Sequence, residues 1–253
     1  MENNKNLAEL FFLQQQFLCC KFLRAYTLNK NAEDLHQLRV TIKKIRAVLL
    51  MLRKLRSDFD YDKNFAPYKK IFKQVGPIRE EFLQHNRIKK DTTNKLEKDS
   101  HRVLIIKLHK ELKGAQSKHL KNIALVSPAI LDSLRKLEQK EVYPYCRKIL
   151  KRLKNKWDRL NTEKNFHQFR KHLKQFLYCS RLLSEKDKAK LISQKNYDRI
   201  NELQELLGTW HDDILLLHNI EKDGLKVNPA FIHSLENETN DLMKAIAKKG
   251  SKL

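Results

Sequence analysis

Residues Leu35 to Leu52 read LHQLRVTIKKIRAVLLML, and residues Phe166 to Leu183 read FHQFRKHLKQFLYCSRLL. His36, Gln37, Arg39 and Lys43 of the first coincide with His167, Gln168, Arg170 and Lys174 of the second, an offset of 131 residues. In the first stretch Leu35, Leu38, Ile42, Ile45, Leu49 and Leu52 recur at i, i+3 and i+7, and Phe166, Phe169, Leu173, Phe176 and Leu183 do so in the second. That period belongs to a helix with one apolar face. Asn31 and Thr162 stand where an N-cap is needed, and Glu33, Asp34 and Glu163 fall near the first turns, where the helix dipole favours acid.

A second landmark keeps almost the same register. Gly76 in FKQVGPIREEF falls opposite Gly208 in QELLGTWHDDI, an offset of 132, with Glu80 and Glu81 opposite Asp212 and Asp213. Two landmarks in register imply two copies of one unit, 1–126 and 127–253, divided near Val126, Ser127 and Pro128. The first half holds 27 basic and 13 acidic residues and the second 26 and 17, so the basic excess belongs to the repeated design. Further helices are predicted over 4–29, 64–87, 96–125, 130–160, 188–222 and 229–248, which makes an all-α chain of two bundles of about four long helices. Gly76 and Gly208 fall inside helices, where Gly costs about 1 kcal/mol against Ala. Close approach of a neighbouring helix is the expected reason, and Pro77 predicts a kink or break.

The composition narrows the chemistry. A formal charge of +23 over 253 residues calls for an anionic partner. Five Gly and five Pro leave little room for the turns of a sheet-rich fold or for a Gly-rich phosphate loop. No run approaches the roughly 20 apolar residues of a membrane span. The first residues lack a secretory signal, and a cytoplasmic protein is expected. Cys19, Cys20, Cys146 and Cys179 show no metal-ligand spacing and read as reduced thiols in helix packing. No cofactor or metal is expected.

Projected at 100° per residue, His36, Arg39, Lys43 and Arg46 share an arc of about 80° beside the apolar face, and His167, Arg170, Lys174 and Arg181 share one of about 60°. Arg offers a planar fork to phosphate oxygens, Lys a mobile point charge, and His a donor that gains charge as pH falls. Two such stripes with almost no interleaved acid would repel themselves if solubility were their only task.

The patterns H-x-x-R-x-x-x-K-K-x-R in the first half, H-x-x-R-K-x-x-K-x-x-x-Y in the second, and the following L-G-x-x-x-D resemble the CHAD domain, the conserved histidine α-helical domain, over about residues 5 to 249. The resemblance implies two four-helix bundles related by a pseudo-two-fold axis. It implies a basic groove or pore that binds inorganic polyphosphate without catalysis, a stand-alone domain, and association with polyphosphate granules. Carried onto this sequence it nominates His36, Arg39, Lys43, Lys44 and Arg46, then His167, Arg170, Lys171, Lys174 and Tyr178. Where the family has Arg just before the Tyr and Glu three positions after it, this chain has Leu177 and Arg181, so Arg181 is nominated as a relocated cation. The family's Arg-Asp after the first glycine is Arg79 and Glu80 here, whose carboxylate could buttress a stripe arginine.

Two other readings of the residues stay open. A cationic groove also binds RNA or DNA backbones non-specifically, with Tyr178 as the main candidate for base stacking. More remotely, His167, His211, Asp212 and Asp241 could form the metal set of an HD-type phosphohydrolase. Membrane binding is not expected, and the sequence says nothing of oligomeric state.

Overall fold

Asn6 opens the first helix, its side chain accepting hydrogen bonds from the backbone N–H of Ala8 and Glu9. The computed structural model describes residues 6–88, 95–157, 160–223 and 227–250, and among these there is no strand. The helices run α1 Leu7–Asn29, α2 Ala32–Leu55, α3 Tyr61–Ile88, α4 Lys95–Arg135, α5 Gln139–Trp157, α6 Glu163–Cys179, α7 Glu185–Leu191, α8 Gln194–Asp223 and α9 Pro229–Gly250. No described helix is long and apolar enough to cross a membrane.

The chain forms two compact units that meet in sequence at Val142 and Tyr143, near the start of α5. In the first, Lys30 takes a left-handed conformation, φ 57°, and turns the chain back so that Asn31 caps α2. All six apolar residues of the first stretch are buried, each at most 1% exposed. At about 1.5 to 3 kcal/mol per large side chain, this face of α2 is the unit's main anchor. Leu38→Ala would cost about 2 to 5 kcal/mol. Helices α1 and α4 flank it, tied by a Gln116 to Thr27 hydrogen bond and by Ser127 Oγ, 2.9 Å from Gln16 Oε1.

In the second unit Phe169, Leu173 and Phe176 of α6 are buried. Trp157 of α5 meets Phe169 edge-on at 5.5 Å, and Trp210 of α8 meets Phe166 at 5.4 Å. Helix α9 closes on α8 through Leu216, Ile220 and Leu235. The last residue of α9, Gly250, lies against the Trp157 ring with no room for a Cβ.

Five helix expectations change, one of them the helix expected over 130–160, which is divided between the end of α4 and α5. The break expected at Val126 to Pro128 lies inside α4, which runs on to Arg135. Pro128 and Ala124 are both exposed, so the carbonyl that loses its donor is left to water, and Ser127 Oγ also reaches Ile123 O at 2.7 Å. In the same way α3 continues through Pro77, which faces solvent. The helix expected over 166–183 ends at Cys179 and tightens into a 3-10 turn, Ser180–Leu182, and the segment expected as one helix over 188–222 is divided between α7 and α8. Ser184 caps α7, accepting from the Asp187 N–H, and Ser193 stands just ahead of α8.

The cysteines are free thiols. Cys19, Cys146 and Cys179 are buried, and burial pushes their thiols up, Cys146 to about 12, so they stay protonated and unreactive.

Candidate anion-binding sites

In the first unit the caps place the motif histidine on the second turn of α2, and the apolar stripe turns Arg39, Lys43 and Arg46 toward α3. There the cations meet rings. The Arg39 guanidinium lies 4.2 Å from the centroid of Phe72, Lys43 Nζ lies 5.9 Å from the same ring, Arg46 lies 5.9 Å from Phe65, and Arg53 lies 5.3 Å from Tyr61. Tyr61, Phe65 and Tyr68 stack along α3 at 5.4 and 6.4 Å. A ring face attracts a cation without neutralising it. Arg39 also donates to Phe72 O at 3.4 Å, and Arg79 Nη2 lies 3.4 Å from His36 Nδ1. Lys44 sits half-buried on α2 and Arg46 is exposed.

Gly76 has a definite reason to be glycine. A Cβ there would stand 3.3 Å from Arg39 Nη1. In the second unit a Cβ on Gly208 would stand 3.3 Å from Arg170 Nη2 and 3.9 Å from its Nε. The expected close helix approach is thus an approach of a guanidinium, in each unit the one from H-x-x-R. The missing side chain leaves a flat seat on α3 and on α8.

Arg170 is half-buried with its Nε unpartnered. Burial lowers its pKa, and Asp212 and Tyr178 oppose that shift. Asp212 is therefore placed to support a stripe arginine, the task the sequence suggested for this carboxylate position. The His167 and His211 rings lie 4.6 Å apart, centroid to centroid, tilted by 42°. His167 is held below the usual imidazole value by burial, then by Lys171, Arg170 and Lys174. His211 is pushed down to about 4 by burial, Arg170, His167 and Lys174, with Asp212 opposing. Lys171 is exposed and Lys174 half-buried.

Two nominated residues stand differently from expectation. Tyr178 is only 9% exposed and offers no ring face for stacking a base. Arg181 lies beyond the α-helix, in the 3-10 turn, so a 100° projection from Arg170 does not place it. It is still brought to the same tyrosine. Burial raises the Tyr178 hydroxyl, while Arg181 and Arg170 both pull it back. Among the described residues none of Arg46, Arg170, Lys171 and Arg181 makes an ion pair. The residues of the HD-type set do not come together as a metal site, since no three of the described His, Cys, Asp or Glu could hold one ion. Asp241 instead pairs with Lys244 on the exposed side of α9 at 2.9 Å.

Sequence reasoning missed Phe65, Phe72 and Tyr61 beneath the cations, the Arg79 partner of His36, and the pairing of His211 with His167. The ring positions 61, 65, 68 and 72 were legible as one face of a helix. Which helix they face is a tertiary fact.

The CHAD domain family profile matches residues 20–220, well over half of the sequence, and the chain belongs to that family. Among solved structures it is similar to the crystal structure of the CHAD domain from the plant Ricinus communis, with a TM-score of 0.64 and 14% identity, covering 97% of this chain and 92% of that one. It is also similar to PptA from Streptomyces chartreusis, with a TM-score of 0.57 and 12% identity, covering 98% of both. These likenesses show the fold. Comparison with curated proteins finds no match. The all-α class and the family expected from the H-x-x-R stretches are borne out.

Proposed function

We propose that this CHAD domain protein binds inorganic polyphosphate, without chemistry of its own, through the basic faces of α2 and α6. The observation that carries this reading is the repeated arginine seat. Arg39 and Arg170 each lie against a glycine that leaves room for the guanidinium, Arg39 also lies over the Phe72 ring, and Arg170 has no ion pair to give up. Arg170 in particular is placed to receive an anion from outside the chain. A linear polyanion gains most, because each further phosphate that reaches a Lys or Arg releases counterions. The buried Tyr178 removes the stacking platform that single-stranded nucleic acid would use. Association with polyphosphate granules, which the family resemblance implies, fits this reading.

The test is competition. Labelled long-chain polyphosphate is displaced by unlabelled polyphosphate, tripolyphosphate, RNA or duplex DNA at physiological salt. Long-chain polyphosphate is expected to compete at least tenfold better per phosphate than either nucleic acid, and affinity is expected to fall steeply with salt. Equal competition per phosphate would assign the stripes to phosphate backbones in general. Replacing the exposed Lys110, Lys121, Lys148 and Lys195 by Ala removes four charges and is expected to change affinity by no more than about twofold, because diffuse surface charge is screened.

A further inference from the structure

Arg79 and His211 both stand three residues after the glycine that seats an arginine, one turn along the helix from Gly76 and Gly208. Both meet the motif histidine of their unit, Arg79 at 3.4 Å from His36 Nδ1 and His211 at 4.6 Å between ring centroids from His167. The second unit thus has a pair of imidazoles where the first has an imidazole and a guanidinium. Neither His167 nor His211 makes a hydrogen bond among the described residues, and both His167 Nδ1 and the neighbouring Arg170 Nε are buried without a partner. Buried polar groups in folded proteins are normally paired, and leaving one unmade costs about 1 to 3 kcal/mol. Two such atoms one helical turn apart on α6, one of them on an arginine without an ion pair, mark a place for an acceptor that the chain does not supply.

We propose that His211 contacts phosphate in the second unit, and that this unit takes up a proton on the His167 and His211 pair as it takes the anion. The inference rests on the polyphosphate reading above. The field at the two rings comes from Arg170, Lys171 and Lys174 on α6, with Asp212 on α8 opposing it. That field and burial keep His211 neutral at pH 7 in the free chain. A phosphate oxyanion beside the rings reverses the local potential. One ring then protonates, turns an N–H donor to the phosphate oxygen, and rests its charge against the second ring. Arg79 carries its charge at every pH, so the first unit needs no proton at the corresponding place.

Calorimetry with long-chain polyphosphate in buffers of different ionisation enthalpy reads proton uptake directly. At about pH 6.5 the wild-type chain is expected to take up about half a proton more per chain than H211Q or H211R, and its affinity to rise about fourfold between pH 7.5 and pH 6. H211Q is expected to stay at the weak level across this range and H211R at the strong level. Ring titration by NMR provides a second reading. The His211 midpoint is expected to move up by more than about two units when polyphosphate is added. If polyphosphate binds while uptake and pH dependence match between these arms and the wild-type His211 midpoint stays in place on binding, the inference is overturned and the functional reading stands. If neither the wild-type chain nor any variant binds polyphosphate, the functional reading fails and the inference falls with it.

Discussion

The first unit keeps its cations on aromatic rings, with an arginine beside the motif histidine. The second keeps its leading arginine half-buried, with a histidine in that place. One scaffold, a glycine seat opposite H-x-x-R, therefore carries two electrostatic designs. Beside the motif histidine the first unit has a permanent charge, whereas on the proposal above the charge at that place in the second depends on proton supply and on what is bound. The contrast shows that a repeat can hold its geometry while the chemistry of a single position diverges.

The largest effect that tests this contrast comes from emptying the two seats separately. Charge-assisted hydrogen bonds contribute about 1.5 to 3 kcal/mol each, so R39A/K43A and R170A/K174A should each weaken polyphosphate binding by about 100-fold or more, and the four together should abolish it. Titrations at pH 7.5 and pH 6 should separate them. The binding left in R39A/K43A, carried by the second unit, should strengthen on acidification more than that left in R170A/K174A. Equal pH responses would erase the distinction between the units.

A smaller effect probes the seats themselves. G76A and G208A each add a methyl 3.3 Å from a guanidinium nitrogen. The arginine tip can give way by a few tenths of an ångström, so the helix should gain up to about 1 kcal/mol from losing glycine while binding weakens about threefold to tenfold. Opposite signs in thermal melting and in affinity are the expected signature. The two variants should lose binding to a similar degree, since the tight approach is 3.3 Å in both.

Acid stability separates the units more gently. His109 and His119 in the first unit, and His167, His172 and His211 in the second, all have pKa values lowered chiefly by burial. Below about pH 6.5 the unfolded chain binds protons that the folded chain refuses, so stability present at pH 7.5 is lost as pH falls toward the folded values. Melting at pH 5 should come several degrees below that at pH 7.5. Saturating polyphosphate should shrink the gap, because it favours protonation of the second unit's pair. A melting temperature flat from pH 7.5 to 5 would contradict the burial of these imidazoles.

The smallest effect concerns the first unit alone. F72L keeps an apolar side chain but removes the ring face under Arg39 and Lys43, and at about 0.5 to 1 kcal/mol per exposed cation–ring contact should weaken binding about threefold to fivefold. Repeating the R170A/K174A titration in this background would show whether the loss stays within the first unit.

Much of the fold was legible because it rests on local signals. The apolar spacing of Leu35 to Leu52 and the Asn31 and Thr162 caps were read correctly, since a cap and a stripe need no knowledge of neighbours. The continuation of α4 past Pro128 was not legible, because it depends on which side of the helix faces water. The site divides in the same way. Arg39 and Arg170 could be nominated from spacing, but the fit of each against a glycine on another helix, and the meeting of His211 with His167, arise from packing. Leu183 fits the apolar period of α6 although the α-helix has ended at Cys179, because the 3-10 turn returns it to the core at 3% exposure.

The rings under Arg39, Lys43, Arg46 and Arg53 also bear on time. A long side chain that waves in solvent must give up about 0.5 to 1.5 kcal/mol of rotamer freedom when a ligand stills it. Aromatic rungs along α3 have already stilled these four. A polymer segment reaching the first unit therefore meets cations with little freedom left to lose, and it should dwell there longer than on the same number of unsupported lysines.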